Sequence, residues 1–232
     1  MSETVGISTL DGESRFAAYC ARPSVPPRAA IVVIQEIFGV NAGIRRKCDR
    51  LAADGYLALA PDLFWRLEPG VELDPDVEAE FQQALGLMGR FDQDQGVADI
   101  EATIRHARKA LGCTKVGAVG YCLGGRLAFM VAARTDADAS VGYYAVGIPD
   151  LLREKHAIAH PLMLHLAGAD HFVPSEAQEA IHAGLDDHPK VTLHDYPGED
   201  HGFATEMGKR RSEAAAELAD SRTAAFFAEN LG

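Results

Sequence analysis

The sequence predicts an α/β fold with a mostly parallel central sheet and helices on both faces. Short apolar runs rich in β-branched residues recur along the chain, as expected of strands buried on both sides. Longer segments with helical spacing separate these runs, and such alternation is typical of parallel sheets. No internal repeat or composition-biased linker divides the chain, so we expect one domain, 1–232, without a separate cap domain.

The elements follow from turn signals and apolar periodicity. Residues 3–10 and 14–21 are predicted strands of a hairpin, because Asp11-Gly12 between them is a strong turn signal. Residues 62–75 are a predicted loop. Further strands are predicted at 29–34, 56–61, 115–120, 140–147, 161–168 and 190–197. Helices are predicted at 43–54, 76–111 (two helices that break near 91–96), 126–136, 175–185 and 208–232.

The charge of the chain narrows the classes of partner. The formal net charge is −12, and no run of lysine and arginine interrupts the acidic sequence. Nucleic-acid binding depends on clustered positive charge, so we expect no nucleic-acid partner and no anionic membrane surface. A small molecule is the expected partner. We expect a monomer, with a dimer as the alternative.

The cysteine spacing and the N-terminal sequence indicate whether the protein binds a metal and in which cellular compartment it is located. The four cysteines form no CxxC pair, and no His/Cys spacing matches a zinc site, so no metal or cofactor is predicted. The first residues lack the pattern of a signal peptide, and no apolar run reaches the ~18 residues of a membrane span. These features predict a cytoplasmic protein with four free thiols.

The most informative motif is Gly120-Tyr121-Cys122-Leu123-Gly124-Gly125, between a predicted buried strand and a helix. It is the G-x-S-x-G pattern of a nucleophile elbow with cysteine in place of serine. Small residues at positions −2 and +2 let strand and helix approach while the nucleophile projects from a tight turn. A buried structural cysteine is the alternative interpretation, since free cysteine is among the most buried residue types.

A cysteine nucleophile needs a base and a group that orients the base. In hydrolases with such an elbow, the chain order is nucleophile, acid, histidine. Asp170 follows the predicted strand 161–168 and His201 follows the strand 190–197, so both are predicted at the sheet edge that carries Cys122. His171 is either a loop residue or a pocket contact. Asp200 and Glu199 are predicted to be solvated loop charges.

These residues resemble the dienelactone hydrolase family over nearly the whole chain. The most specific stretches are VIQEIFGVN (33–41), KVGAVGYCLGGRLAF (115–129) and GEDHGF (198–203). The resemblance implies the α/β-hydrolase fold and hydrolysis of a small ester or lactone through a thioester.

The resemblance also assigns roles to individual positions. It implies a Cys-His-Asp triad at Cys122, His201 and Asp170, and an oxyanion hole formed by the backbone N–H groups of Ile37 and Leu123. It further implies that Glu36 holds the resting cysteine as a neutral thiol until substrate arrives. Keeping the thiol neutral is physically reasonable, because a cysteine that is permanently ionised to the thiolate is easily oxidised. From its position alone, Glu36 could equally be a solvated loop carboxylate.

The sequence departs from the family where the substrate is held. Family members that cleave dienelactone grip its carboxylate with two arginines, and Phe81 and Thr205 stand at these positions here. Neither side chain can form the bidentate bond of an arginine to a carboxylate. The cavity is therefore predicted to be more apolar and the substrate to differ from dienelactone. Arg90 and Lys209 are the other cations that could supply a charge.

Several apolar and polar residues are candidates for the substrate pocket, with core packing as the alternative for each. Trp65, in the predicted loop 62–75, is predicted either to line the entrance or to cap the core. The pocket candidates are Phe38, Phe81, Met88, Tyr144, Phe203 and Thr205.

Three other functions are considered as alternatives. A thioesterase or transacylase would use the same triad as an esterase. A thiol-based sensor or a non-hydrolytic binding protein could retain the scaffold and lose turnover. A metal hydrolase is disfavoured, because the chain has no HExxH motif and no cluster with metal-ligand spacing.

Overall fold

The computed structural model describes all 232 residues and confirms the predicted architecture. Eight strands form one sheet in the order β1-β2-β4-β3-β5-β6-β7-β8. Strands β3 to β8 are parallel, while β2 is antiparallel to both β1 and β4. The strands are β1 (Ser2–Ser8), β2 (Arg15–Ala21), β3 (Ala30–Ile34), β4 (Leu57–Pro61), β5 (Val116–Tyr121), β6 (Ala139–Tyr143), β7 (Leu162–Ala167) and β8 (Val191–Tyr196).

Helices cover both faces of this sheet. Helices α1 and α6 pack on one face, where Ile44 and Phe227 meet the sheet in one apolar cluster. Helices α3, α4 and α5 pack on the other face, where Ile100 and Leu127 belong to a second cluster. The helices are α1 (Ala42–Ala53), α2 (Glu78–Met88), α3 (Gln93–Lys109), α4 (Leu123–Arg134), α5 (Ser175–Leu185) and α6 (Glu213–Leu231). None of them is long and apolar enough to cross a membrane.

The N-terminal hairpin and the break between α2 and α3 are confirmed. In the hairpin turn, Gly12 has a φ of +75° and Asp11 accepts a hydrogen bond from the Glu13 N–H. At the break, Asp92 caps α3 by accepting from the N–H groups of Asp94 and Gln95. An acceptor side chain at this position satisfies two donors that have no partner inside the helix.

Three predicted boundaries differ from the structure. Strand β6 ends at Tyr143, because Tyr144 adopts a φ of +36°, and a 3₁₀ helix (Ile148–Ala157) follows. Helix α4 begins at Leu123 rather than at residue 126. Helix α6 begins at Glu213 rather than at residue 208, and the segment before it is held against α1, where Glu206 pairs with the Lys47 ammonium at 3.3 Å.

Candidate active site

Four candidate residues lie in loops at the carboxyl edge of the sheet. Glu36 follows β3, Cys122 follows β5, Asp170 follows β7 and His201 follows β8. Carboxyl ends of parallel strands meet at one edge, where open α/β sheets bind ligands. Glu36, Cys122 and His201 line one cavity of about 470 Å³, and Asp170 lies behind His201.

The turn at Cys122 is a strained strand-to-helix junction. Cys122 has φ +55° and ψ −114°, a conformation that non-glycine residues rarely adopt. The glycines two residues away on each side are needed for close approach: a Cβ on Gly120 would lie 1.9 Å from the Gly124 carbonyl oxygen, and a Cβ on Gly124 would lie 2.4 Å from that of Ile34. The Cys122 side chain is thereby presented at the first turn of α4.

His201 and Asp170 form a buried hydrogen-bonded pair. The imidazole Nδ1 lies 2.8 Å from Asp170 Oδ2, and each residue is 4% exposed. Asp170 Oδ1 accepts from the Phe172 N–H at 2.9 Å, which fixes the carboxylate plane. Burial disfavours a charged His201, but hydrogen bonds and charge interactions with Asp170 and Cys122 outweigh it and raise the pKa of His201 to about 10. These partners therefore stabilise the imidazolium form of His201.

Two backbone N–H groups beside Cys122 are free to bind an oxyanion. The Leu123 N–H is among the first of α4, and these donors have no acceptor within their own helix. The Ile37 N–H, in the loop after β3, donates to no backbone or side-chain acceptor. Both residues line the cavity together with Cys122.

Glu36 is a buried carboxyl on the cavity wall. It is 9% exposed, and burial raises its pKa, although the charges of His201 and Lys47 act in the opposite direction. Its neutral form is therefore more favoured than that of a solvated glutamate. It is not the solvated loop charge of the alternative interpretation.

The cavity wall is largely apolar. Among the predicted pocket residues, Phe38, Phe81, Met88 and Thr205 line the cavity. Tyr144 and Phe203 do not, because both are buried beneath the carboxyl edge of the sheet with their rings packed edge-to-face at 5.6 Å. Further lining residues that were not predicted are Leu85, Phe172, Arg126, Met207 and Arg210.

Trp65 lies away from this cavity, so it does not line the entrance. Its ring stacks on Phe16 at 5.9 Å, and its indole N–H donates to the buried Asp99 carboxylate at 2.9 Å. The side chain thus closes the core near β2 and α3, which was the second of its two predicted roles.

The cavity contains cations that the family pattern did not indicate. Arg126 is held by the Gln93 side chain, the Gly147 carbonyl and Asp150. Arg210 has no carboxylate partner, and its guanidinium lies 6.0 Å and 5.9 Å from the ring centroids of Phe81 and Phe172.

The two cations considered from the sequence do not line the cavity. The Arg90 side chain donates to the Gly86 carbonyl of α2, and Lys209 contributes only a backbone N–H bond to Asp76. The cavity wall is largely apolar, but Arg126 and Arg210 add positive charge to it. Arg210 was not predicted because residues 208–212 were expected to be helical, whereas they form a turn and irregular backbone before α6.

Asp200 is solvent-exposed, as predicted, and its carboxylate also accepts hydrogen bonds that the sequence did not indicate. Its Oδ1 accepts from the His171 ring at 2.7 Å and from the His201 backbone N–H at 2.6 Å. Glu199 is also bonded, since its Oε1 accepts from the Ser212 hydroxyl at 2.9 Å. Asp170, His171 and Asp200 offer ligand atoms within 4.8 Å of one another, but hydrogen bonds to His201 and His171 already explain this grouping.

The sheet order, the helices on both faces and the strained elbow define the α/β-hydrolase fold. Comparison with known proteins narrows this to one family: the chain matches the dienelactone hydrolase family over residues 16–231 and belongs to it. A Pseudomonas putida carboxymethylenebutenolidase is 42% identical over 229 residues, covering 98% of this chain and 97% of that protein. An Azospirillum brasilense protein assigned the same activity is 46% identical, with coverage of 95% and 96%.

A solved structure agrees with this placement. A Klebsiella pneumoniae protein assigned as a dienelactone hydrolase superposes with a TM-score of 0.84 at 27% identity. The alignment covers 99% of both chains, so the shared fold extends from the N-terminal hairpin to α6.

Proposed function

We propose that the protein hydrolyses small esters or lactones with Cys122 as nucleophile, through a thioester acyl-enzyme. The observation that carries this proposal is the elbow cysteine at φ +55°, which shares a cavity with His201 in a buried 2.8 Å hydrogen bond to Asp170. Nucleophile, base and orienting acid are the parts that covalent acyl transfer needs. Assays of p-nitrophenyl acetate and a small lactone with wild type and Cys122→Ala test it.

The reaction has two halves. His201 Nε2 takes the proton of the Cys122 thiol, and the thiolate attacks the substrate carbonyl carbon while Asp170 holds the imidazolium. The N–H groups of Ile37 and Leu123 bind the oxyanion, the C–O bond to the leaving alkoxide breaks, and His201 returns its proton to that oxygen. Water, deprotonated by His201, then attacks the thioester, and the acid product leaves with Cys122 restored as a thiol.

Glu36 is proposed to keep the thiol of Cys122 neutral before substrate binds. A carboxylate beside the nucleophile accepts the S–H hydrogen bond and competes with His201 for the proton. Glu36 lies on the same cavity wall as Cys122 and its pKa is raised by burial. Substrate that displaces this carboxyl would leave His201 as the only acceptor.

The Glu36 role predicts the reactivity of the resting enzyme. Glu36→Ala should increase the rate of Cys122 alkylation by iodoacetamide at neutral pH roughly tenfold, because one hydrogen bond to a charged group no longer holds the thiol. Mass spectrometry of the Cys122 peptide over time measures the rate. Glu72→Ala, which removes an exposed carboxylate paired with Arg45 outside the cavity, is the matched control. An unchanged or slower rate in Glu36→Ala would contradict the role.

The cavity supports a substrate with an apolar body and an acidic group placed toward Arg210. Phe38, Phe81 and Leu85 provide the apolar wall. Arg210, without a carboxylate partner, provides a cation at the rim from a position different from those of the family arginines. The activity named for the Pseudomonas putida relative is compatible with such a substrate.

This substrate preference can be measured with a matched pair of esters that differ by one carboxylate. Arg210→Ala should lower kcat/KM for the anionic ester roughly tenfold, because a charge-assisted hydrogen bond is lost. The neutral ester should change by less than about twofold. Arg90→Ala removes the same charge from outside the cavity and should alter neither. Equal losses on both esters would show that Arg210 acts only through packing.

A further inference from the structure

The two loops that carry Asp170 and His201 contain the same dipeptide. Asp170-His171 follows β7, and Asp200-His201 follows β8. The carboxylates and rings pair crosswise: Asp170 with His201 at 2.8 Å, and Asp200 with His171 at 2.7 Å. Each loop therefore supplies the carboxylate that binds the histidine of the other loop.

The two crossed pairs lie in different surroundings. The inner pair is buried, with side chains 5% and 1% exposed, and belongs to the proposed catalytic machinery. The outer pair is half exposed, with the His171 side chain 48% and the Asp200 side chain 57% exposed. The rings of His171 and His201 approach edge-to-face, with centroids 6.4 Å apart. The outer pair thus covers the inner pair on its solvent side.

Asp200 connects the loops through a single oxygen. Its Oδ1 accepts from the His171 N–H at 3.1 Å, from His171 Nδ1 at 2.7 Å and from the His201 N–H at 2.6 Å. The last backbone bond between the loops runs from the Ala169 N–H to the Glu199 carbonyl at 2.8 Å. Beyond that point, the Asp200 carboxylate is the acceptor that joins His201's own peptide to the opposite loop.

We propose that Asp200 and His171 are positioning residues that hold the two loops in the register that the Asp170–His201 hydrogen bond requires. Catalytic consequences of this role rest on the proposed function, whereas its structural consequence does not. The Ala169 bond fixes the base of the loops, and the Phe203 N–H holds the carbonyl of the Asp200–His201 peptide at 3.3 Å within its own loop, but neither bond ties that peptide's N–H to the opposite loop. Asp200 fixes that peptide, and with it the direction in which the imidazole leaves the backbone.

The charge of Asp200 suits this role. Slight burial disfavours its ionised form, but the hydrogen bonds from His171 and from the two backbone N–H groups outweigh that effect and lower the pKa of Asp200 to about 2. The carboxylate is therefore ionised over the whole neutral range and remains an acceptor for all three donors.

Steady-state kinetics separate positioning from general stability. Asp200→Ala should lower kcat roughly 10- to 100-fold, because a small displacement of a catalytic group has an effect of that order. KM should stay within about twofold, since Asp200 does not line the cavity.

Asp200→Asn, which keeps an Oδ1 acceptor for both backbone N–H groups, should recover most of the loss in kcat. His171→Ala combined with Asp200→Ala should lose less than the sum of the single effects.

A second exposed His–Asp pair provides the matched control. His182 on α5 and Asp195 on β8 lie 3.0 Å apart, far from the cavity lining. Asp195→Ala should leave kcat and KM unchanged. The positioning role is overturned if Asp200→Ala keeps wild-type kcat, or if kcat falls equally in Asp195→Ala.

A spectroscopic readout does not depend on hydrolysis. The His201 Nδ1 proton bonded to Asp170 should give a low-field proton NMR resonance that Asp170→Asn removes. Asp200→Ala should broaden or shift this resonance, and Asp195→Ala should not. An unchanged resonance in a folded Asp200→Ala protein overturns the proposal, and Asp200→Leu, which also lacks an acceptor, serves if the alanine variant does not fold. If Cys122→Ala retained full activity, the proposed function would be wrong. The resonance would still test whether Asp200 and His171 position the Asp170–His201 hydrogen bond.

Discussion

Replacement of Cys122 by alanine should abolish ester and lactone hydrolysis, with kcat/KM lower by about 10⁴-fold or more. Alanine keeps the elbow geometry but removes the sulfur that would form the acyl bond. The cavity, the free N–H groups and the His201–Asp170 pair would remain and account for residual activity. Turnover of p-nitrophenyl acetate and of a small lactone measures the loss, and circular dichroism checks the fold.

The control for this variant is a cysteine remote from the cavity. Cys113 is buried and unpaired, and Cys113→Ala should keep turnover within about threefold. Mass spectrometry after rapid acid quench should reveal an acyl adduct on Cys122 in the wild type. Equal turnover in wild type and Cys122→Ala, or an adduct on another residue, would exclude Cys122 as nucleophile.

A single methyl group on Gly120 should destabilise the fold by about 3 kcal/mol or more, since overpacking against rigid backbone exceeds the usual range for side-chain crowding. The added Cβ would lie 1.9 Å from the Gly124 carbonyl oxygen, and a backbone atom cannot move aside as a side chain does. The strand-to-helix junction would have to open, and Cys122 would move with it. Urea unfolding measures the free energy of Gly120→Ala.

Gly86 provides a matched comparison. It lies within α2, and a Cβ there would meet nothing within 4 Å. Gly86→Ala should therefore stabilise the protein by up to about 1 kcal/mol, because alanine has the higher helix propensity. If both variants lost the same free energy of unfolding, close packing at the elbow would not be the reason for glycine at position 120.

The arrangement of strands could be predicted because each buried strand is a continuous apolar run. The runs at 29–34 and 115–120 became β3 and β5 within one residue at each end. The elbow could be predicted because its steric demands fall on neighbouring positions in the sequence. Gly120 and Gly124 stand two residues either side of Cys122, and local spacing alone indicates the turn.

The cavity rim could not be predicted in the same way. Arg210 approaches Phe81 and Phe172 from the irregular segment before α6, and Glu206 in the same segment pairs with Lys47 on α1. This ion pair joins parts of the chain about 160 positions apart, and helical spacing says nothing about it. The role of Asp200 depends likewise on where the loop after β7 lies.

The residues proposed for chemistry and the residues that shape the cavity come from separate parts of the chain. Cys122, His201 and Asp170 are fixed by strand ends, whereas much of the wall comes from α2 and from the segment 205–211. The second segment also meets the residues just before α2, through a hydrogen bond from the Lys209 N–H to Asp76 at 3.3 Å. Inherited changes in either segment can therefore alter substrate range while the reaction itself is conserved, so new specificities can evolve on this scaffold in small steps.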